Sequence, residues 1–411
     1  MRRVLEKVVL ALASFRLAFS LFAMLLVVVL VGTLEQQHLS LYEVQRKYFS
    51  SLFFATPIPF PGGALLLGLL FLNLTIGGLL RIRWKTATLG VIIVHVGILM
   101  LLVGGFVEYR LSSKGFIHFA KEGEHGDRYY SYEDWDLTIE RAGPDAKQWI
   151  APTEEVSRAT DGRTVRVTAP DLPFDVLLSG YARNTELRRA RSASDGIDGV
   201  EMFEVSSSSL DGGSNLPGVV ATAAGKGAVA ATGDARGYLR GGEGVYAWTV
   251  AREGVDYRVA LTRRSWPLPF DTRLDRAIGE KHPGTEGGRA MEMFRRFSSF
   301  VTVNDGGVSR EVHITMNEPL RWKGTIFYQS GFGRYLDGSP WSTLAVVQNP
   351  SDRVPIVACV IIAIGMVLHF GLRLLRFLYA GSVRRFRQSD ALVGSSADGR
   401  SPEGPSPQEA P

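Results

Sequence analysis

Cysteine is almost absent from this chain of 411 residues, which contains one, Cys359. A disulfide needs two cysteines, so none can form within the chain. Neither Cys-x-x-Cys-His, the attachment motif for covalent haem, nor a Cys-x-x-Cys metal site occurs. These absences exclude thiol-disulfide chemistry between its own cysteines and covalent attachment of haem to this chain.

Common enzyme signatures are missing as well. Neither HExxH nor GxSxG is present, and the glycines of 225–244 lack the strand-and-helix setting of a phosphate-binding loop. The net charge of +5 owes much to basic clusters beside apolar runs, so it is poor evidence for nucleic acid. We therefore expect no catalytic residue and no nucleic-acid partner.

Long uncharged runs are what the chain does contain. A helix needs about 20 apolar residues to cross a bilayer. We expect helices at about 14–34, 62–80, 87–107 and 354–379. The first run is too long for the apolar part of a signal peptide and no clear cleavage site follows it, so it predicts an uncleaved anchor.

Basic residues flank these runs unevenly. With four spans, three clusters fall on one face of the membrane, which the positive-inside rule makes cytoplasmic. We expect a multi-pass protein of a bacterial cytoplasmic (inner) membrane, with cytoplasmic N- and C-termini and residues 108–353 outside. The clusters are Arg2, Arg3 and Lys7, then Arg81, Arg83 and Lys85, then Arg373, Arg376, Arg384, Arg385 and Arg387.

The segment 108–353 is rich in short β-like runs separated by turn signals such as Asn304-Asp305-Gly306-Gly307. This pattern predicts an antiparallel sandwich or open barrel. The expected fold is therefore membrane α plus β, with four transmembrane helices (3+1) and a large extracytoplasmic β-rich domain. Residues 206–244, rich in Gly, Ala and Ser, predict a flexible insertion, and 380–411 a basic and then disordered cytoplasmic tail.

A histidine, His95, lies inside the third uncharged run. A neutral imidazole in hydrocarbon loses its hydrogen bonds to water and needs a partner, which is a protein group, a relayed proton or a metal. His369 lies in the fourth run. At about 1.5 Å per residue, His95 is about 13 Å and His369 about 8 Å from the cytoplasmic end of its helix. Their depths overlap within the error of the helix boundaries.

Several local patterns, in this order, resemble the ResB family of cytochrome c biogenesis proteins (System II). In the membrane part they are Gly-Thr-Leu-Glu-Gln at 32–36, Leu-Asn-Leu at 72–74, and His95 followed by Gly104-Gly105. Downstream they are Phe-Ser-Ser-Phe-Val-Thr-Val at 297–303, Asn-Glu-Pro-Leu at 317–320, Lys-Gly at 323–324, Phe-Tyr-Gln-Ser-Gly-Phe-Gly at 327–333 and Asn-Pro at 349–350. The resemblance covers the membrane parts and about 297–380 well, and 140–290 poorly.

The resemblance implies the ResB-like subunit of a cytochrome c synthetase. Such a subunit works with a ResC/CcsA-like membrane protein to move haem b across the membrane and join it to apocytochrome c. The partner has a Trp-rich haem-binding loop, whereas the seven Trp here form no such cluster. This chain is therefore expected to be a non-catalytic subunit of the haem lyase complex. The resemblance makes His95 the candidate axial ligand of the haem iron, opposite a histidine of the partner.

Alternatives to this function stay open. His95 and His369 together could hold one haem permanently, as in a b-type cytochrome redox subunit, or the chain could be a haem-free assembly scaffold with His95 hydrogen-bonded to a neighbouring helix. The other histidines are secondary candidates. His38, His118 and His125 are conceivable haem contacts at the outer face, while His282 and His313 are expected to be structural. Asn317-Glu318-Pro319-Leu320 and Tyr328-Gln329 are expected to form a turn and a strand rather than a partner surface.

Overall fold

The computed structural model describes residues 2–55, 59–143, 145–160, 162–190, 196–205, 215–228, 234–242, 247–281 and 294–397. Two units are distinguishable: Met1–Leu25, Ala64–Glu108 and Ser351–Pro411 form the first, and Leu26–Gly63 and Tyr109–Pro350 form the second. The helices are α1 (Arg2–Leu12), α2 (Phe15–Glu35), α3 (Leu41–Val44), α4 (Gly63–Asn73), α5 (Leu89–Leu111), α6 (Thr153–Val156) and α7 (Val354–Ala397), with π-helical turns at Gln45–Phe49 and Leu74–Leu80.

Within the described residues, four helical segments are long and apolar enough to cross a membrane. They are Phe15–Glu35, Gly63–Leu80, Leu89–Leu111 and Val354–Gly381. Three precede the β-rich region in the chain and one follows it, which agrees within a few residues with the four apolar helices expected from the sequence. The expectation of disorder in the tail is wrong for 388–397, because α7 continues to Ala397. Residues 398–411 lie outside the described part.

Glycines on α5 allow its backbone to approach α7 closely. A Cβ atom at Gly90 would lie 2.6 Å from the backbone oxygen of Gly365 and 2.6 Å from the backbone nitrogen of His369. One at Gly97 would lie 2.5 Å from Ile362, and one at Gly104 2.5 Å from Val354. The three glycines are spaced by seven residues, so they line one face of α5. Small residues at such a face let membrane helices pack backbone against backbone.

The described strands of the second unit are antiparallel and form four sheets. The largest has the order β15-β14-β13-β4-β3-β18-β17-β16, with β12 on β13 and β5 on β4. The others have the orders β11-β10-β7-β6, β8-β9 and β1-β2. The strands are β1 (Phe53–Phe54), β2 (Phe60–Pro61), β3 (Ser113–Phe119), β4 (His125–Arg141), β5 (Gln148–Ala151), β6 (Val165–Val167), β7 (Phe174–Ala182), β8 (Thr185–Arg189), β9 (Val200–Glu204), β10 (Gly218–Gly225), β11 (Ala235–Arg240), β12 (Trp248–Arg252), β13 (Val255–Lys281), β14 (Phe294–Asp305), β15 (Val308–Thr315), β16 (Leu320–Trp322), β17 (Thr325–Arg334) and β18 (Pro340–Gln348).

Two hydrophobic cores share the long strands β4 and β13. In the first, side chains of the four-stranded sheet such as Leu178 pack on Leu137 and Val259 of the large sheet, which makes a sandwich. In the second, Ile314 of β15 and Phe327 of β17 lie in one cluster, so the large sheet curls on itself like an open barrel. The large β-rich region expected from the sequence is therefore confirmed.

The predicted flexible insertion at 206–244 is wrong where it covers β10 and β11. Val219, Ala221 and Ala223 are fully buried, and β10 is hydrogen-bonded to β7 on one side and to β11 on the other. The small residues are required by close packing, since a Cβ atom at Gly237 would lie 2.5 Å from the ring of Trp248. Residues 206–214, 229–233 and 243–244 of that range lie outside the described residues.

Two arginines connect separate segments of the second unit. Arg183 donates a hydrogen bond of 3.1 Å to Glu43, the N3 residue of the capping box of α3, and another to Glu133 of β4. Arg264 of β13 donates to Asp136 at 2.8 Å and to Glu154 of α6 at 2.7 Å. Burial raises the pKa of Glu133 against the opposing attraction of Arg183, whereas the hydrogen bond from Arg264 lowers the pKa of Glu154.

The glycine contact between α5 and α7 can be tested with alanine. Gly90→Ala should lower the free energy of unfolding by about 1–3 kcal/mol, because the new methyl meets backbone atoms that cannot turn aside. Gly105→Ala, on the same helix with nothing within 4 Å, is the matched control and should leave stability unchanged or slightly raised. Thermal unfolding of the purified proteins in detergent measures both. Equal melting temperatures of the two variants would contradict the close contact.

Glutamine variants of Glu133 and Glu154 should respond to pH with opposite signs. A folded-state pKa raised above the unfolded value favours the folded state at low pH, so wild type should gain stability over Glu133→Gln as pH falls from about 7 to about 4. A lowered pKa does the reverse, so wild type should lose part of its advantage over Glu154→Gln as pH falls below the ordinary glutamate pKa of 4.5. Melting temperatures across the range report this, and shifts of the same sign in both pairs would refute the assignment.

Candidate functional site

Asn73, at the end of α4, is hydrogen-bonded to the segment that connects α1 and α2. Its amide nitrogen donates to the backbone oxygen of Leu12 at 2.6 Å and to that of Ser14 at 3.0 Å. These carbonyl groups stand at the end of α1 and the start of α2, where the helical ladder is interrupted and carbonyls need other donors. Ser14 also caps α2, since its hydroxyl accepts from the backbone nitrogen of Leu17 at 3.2 Å. The buried Asn73 thus connects the second apolar helix to residues 12–14, the N-terminal corner between α1 and α2.

The π-helical turn Leu74–Leu80 continues from Asn73 and brings two glycines into close contact with other elements. π-helical turns inside α-helices are rare and are found frequently at functional sites. A Cβ atom at Gly77 would lie 3.0 Å from the backbone oxygen of Ala13, and one at Gly78 would lie 2.6 Å from Nδ1 of His95. The turn therefore contacts the N-terminal corner with one glycine and the imidazole of α5 with the next.

His95 is anchored through one of its two ring nitrogens. Its Nδ1 lies 3.1 Å from the backbone oxygen of Gly78. A carbonyl oxygen only accepts, so Nδ1 must carry the proton in this hydrogen bond. In a neutral imidazole the lone pair is then on Nε2. This is the arrangement of a metal-ligating histidine, whose other nitrogen is usually held by a carboxylate, a water or a backbone carbonyl.

His369 occupies a different environment on α7. Its Nδ1 is buried and has no hydrogen-bond partner among the described residues. Its ring lies edge-on to that of Phe370, with 5.2 Å between the centroids. Its backbone is the part of α7 that meets Gly90. His369 therefore belongs to the contact between α7 and α5.

His95 projects from one side of α5, whereas His369 of α7 packs against another side of α5. At about 100° per residue, His95 lies about 140° to 180° around the helix from Gly90, Gly97 and Gly104, the glycines that meet α7. It also lies five residues, or about 7.5 Å, along α5 from the level of Gly90. An α-helix with its side chains is about 10 Å across. The packing brings His95 to Gly78 and the backbone of His369 to Gly90, on different sides of α5.

The remaining histidines among the described residues are exposed. Nδ1 of His118 lies 2.8 Å from the hydroxyl of Thr343, and Nδ1 of His125 lies 2.7 Å from Asp271. His313 stacks on Phe300 at 4.3 Å between ring centroids. His38 follows α2, and His282 lies outside the described residues. Among the described residues, no group of three or more His, Cys, Asp or Glu side chains could hold a metal ion.

The family-like patterns at 297–303 and 327–333 supply a buried polar contact in the second core. The hydroxyl groups of Ser299 and Ser342 lie 2.7 Å apart, and Gln329 donates to Ser342 at 3.0 Å. All three residues are buried, so the hydrogen bonds offset the cost of removing the two hydroxyl groups and the amide nitrogen of Gln329 from water, while Oε1 of Gln329 has no partner among the described residues. The interpretation of Gln329 as structural agrees with this packing.

Gly78 is the site residue that sequence reasoning missed. It precedes His95 by 17 residues and belongs to another helix, so no local pattern connects the two. The one sequence signal was the pair Gly77-Gly78 inside an apolar run, where glycine without a packing reason is costly.

One family comparison covers most of this structure. The model of the ResB-like family matches residues 85–340, more than half of the chain. The match includes His95 and the β-rich region, while Asn73, Gly78 and His369 lie outside it. No curated protein matches the chain. The ResB-like family is associated with cytochrome c biogenesis. With its apolar helices and its β-rich region between the third and fourth of them, this chain belongs to the ResB-like family.

Proposed function

We propose that this chain is the ResB-like subunit of a cytochrome c synthetase and handles haem b through His95. In this proposal it works with a ResC/CcsA-like membrane protein, which supplies the Trp-rich haem-binding loop, and serves apocytochrome c. In this proposal the partner, not this chain, forms the thioether bonds, because the Trp cluster of the partner has no counterpart here. The observation that carries the proposal is the hydrogen bond from Nδ1 of His95 to Gly78.

The chemistry of that hydrogen bond suits an axial ligand. Haem iron is commonly held by a neutral imidazole nitrogen. An acceptor at Nδ1 fixes the ring orientation and makes Nε2 a better electron-pair donor. The backbone oxygen of Gly78 is such an acceptor, and unlike a carboxylate it brings no net charge into an apolar helix contact. Haem is the cargo here, and His95 is the residue that binds it.

The proposed membrane placement puts His95 near the cytoplasmic side. The basic clusters at the N-terminus, at 81–85 and after 372 favour a cytoplasmic position for the helix ends that they flank. His95 is six residues from the start of α5 at Leu89, or about 9 Å along a helix axis. It is about 24 Å from the other end at Leu111. Haem that enters from the cytoplasm meets this level first.

The second axial ligand belongs to the partner in this proposal. A resident b-type cytochrome would need His95 and His369 on one iron. His95, however, projects from one side of α5, and His369 of α7 packs against another side. One observation favours the resident b-type cytochrome: Nδ1 of His369 is buried without a hydrogen-bond partner among the described residues, so this nitrogen is not engaged by another group. The packing of α5 supports a haem site that opens away from α7, towards another chain.

Removal of the imidazole tests the haem ligand. His95→Gly should abolish the haem that copurifies with the complex of this chain and its partner, and added imidazole should restore it by filling the vacated space. His369→Ala should retain the haem. Absorption spectra of the purified complexes measure both variants. Full cytochrome c maturation in a strain with His95→Gly and no added imidazole would instead support the haem-free scaffold.

The purified chain without its partner separates the two haem proposals. Stoichiometric haem with a redox-active bis-histidine spectrum, lost in both His95→Gly and His369→Ala, would support the resident b-type cytochrome. Haem that appears only with the partner supports a shared site. The melting temperature of each variant without haem controls for loss of folding.

The position of the imidazole should matter as much as its presence. Gly78→Ala would place a methyl 2.6 Å from Nδ1 of His95 and turn the ring away from the carbonyl oxygen. We expect haem affinity to fall about ten- to a hundredfold, as when a ligating histidine loses its hydrogen-bond partner. Gly68→Ala is the matched control on α4, with nothing within 4 Å of the added atom. Haem titration of the complexes compares them, and equal affinities would exclude Gly78 as the anchor.

A further inference from the structure

The N-terminal helix α1 has an apolar side that no described residue covers. Val4 and Leu5 are each 65% exposed and Val8 is 48% exposed. At about 100° per residue, Val4, Leu5, Val8 and Leu12 fall within about 100° of one another around the helix. Valine and leucine side chains together on one side of a helix favour a non-aqueous environment.

The opposite side of α1 is charged, with a positive balance: Arg3 and Lys7 outnumber the neighbouring Glu6. Arg3 and Lys7 are exposed and lie within about 40° of each other, and their centre is about 130° from that of the apolar side. Leu10 is the one large apolar residue on this cationic side. A short helix with a basic side and an apolar side is typical of segments that lie in a membrane interface.

The corner between α1 and α2 fixes the level of α1 relative to the bilayer. Asn73 bonds the carbonyl groups of Leu12 and Ser14, and a Cβ atom at Gly77 would touch Ala13, so the corner is held by the second apolar helix. Arg16 follows within one turn, immediately before the uncharged run of α2. An arginine at that place keeps its guanidinium among the headgroups. The corner therefore lies at headgroup level.

An exposed tryptophan indicates the same level. Trp84, between the second and third apolar helices, is 70% exposed and its ring nitrogen donates to the backbone oxygen of Leu79 at 3.3 Å. It stands among Arg81, Arg83 and Lys85. Tryptophan and basic residues are enriched where helices leave the hydrocarbon core.

We propose that α1 lies along the membrane surface, with Val4, Leu5 and Val8 among the acyl chains and with Arg3 and Lys7 against anionic lipid headgroups. Two observations select lipid as the occupant: the charge of the cationic side, and continuity with α2, which enters the bilayer within one turn of the corner. The inference rests on the membrane placement proposed above and is independent of haem. It gives α1 the role of an anchor that holds the N-terminal end of α2, Asn73 and the π-helical turn at the interface.

Spin labels on cysteine in a Cys359→Ser background test the inference with the full chain. The label at Val8→Cys reports the apolar side and the label at Leu10→Cys the cationic side, without loss of a charge. Labels at Phe22→Cys in α2 and at Leu336→Cys, in a fully exposed turn of the β-rich region, give the membrane and water references. Collision with oxygen and with a water-soluble nickel chelate is measured in phosphatidylcholine vesicles with and without phosphatidylglycerol.

In vesicles with phosphatidylglycerol, the Val8 label should prefer oxygen as Phe22 does, and the Leu10 label should prefer nickel as Leu336 does. Arg3→Glu with Lys7→Glu should shift the Val8 label towards nickel, as should removal of phosphatidylglycerol. Equal nickel access at Val8 and Leu10 would place α1 in water and overturn the inference. Protection of both labels from both reagents would mean that protein covers α1, which also overturns it. A Phe22 label in water would instead refute the membrane placement.

Discussion

The hydrogen bond between Nδ1 of His95 and the backbone oxygen of Gly78 is the constraint on which the candidate site depends. It exists because glycine lets the second apolar helix approach the imidazole more closely than any other residue would. The same helix is tied to the N-terminal corner by Asn73. The orientation of one ring is therefore set by two other helices, and a disturbance at either contact reaches the nitrogen that would bind iron.

The sequence predicted well those features that depend on composition over a long window. The number and bounds of the apolar helices follow from uncharged runs, and the β-rich region follows from its short runs and turns. The failure at 218–225 has a physical reason: alanine, valine and glycine were needed to bury a strand between two neighbours, but small residues without large ones also mark loose segments. Composition alone cannot separate a tightly packed strand from a flexible one.

The candidate site was half predictable. His95 was evident because a polar ring in an apolar run needs a partner. Its partner was not evident, because Gly78 contributes only a backbone oxygen and any residue carries one. Glycine is required at position 78 because a Cβ atom there would lie 2.6 Å from Nδ1 of His95. This closeness depends on how the two helices pack, which the sequence does not show. The separation of His95 from His369 around α5 was likewise hidden, since depth along a helix can be counted from sequence but the facing partner cannot.

The long strands β4 and β13 make the β-rich region slow to complete during synthesis. Thr138 and Thr262 are hydrogen-bonded at 2.6 Å although 124 residues separate them, and both cores contain residues of each strand. Neither core can close before β13 has been made, so the side of β4 that pairs with β13 has no partner strand during that interval. Contacts between distant residues slow folding, and unpaired edges invite aggregation. The nascent domain therefore keeps one side of β4 exposed until β13 has been made.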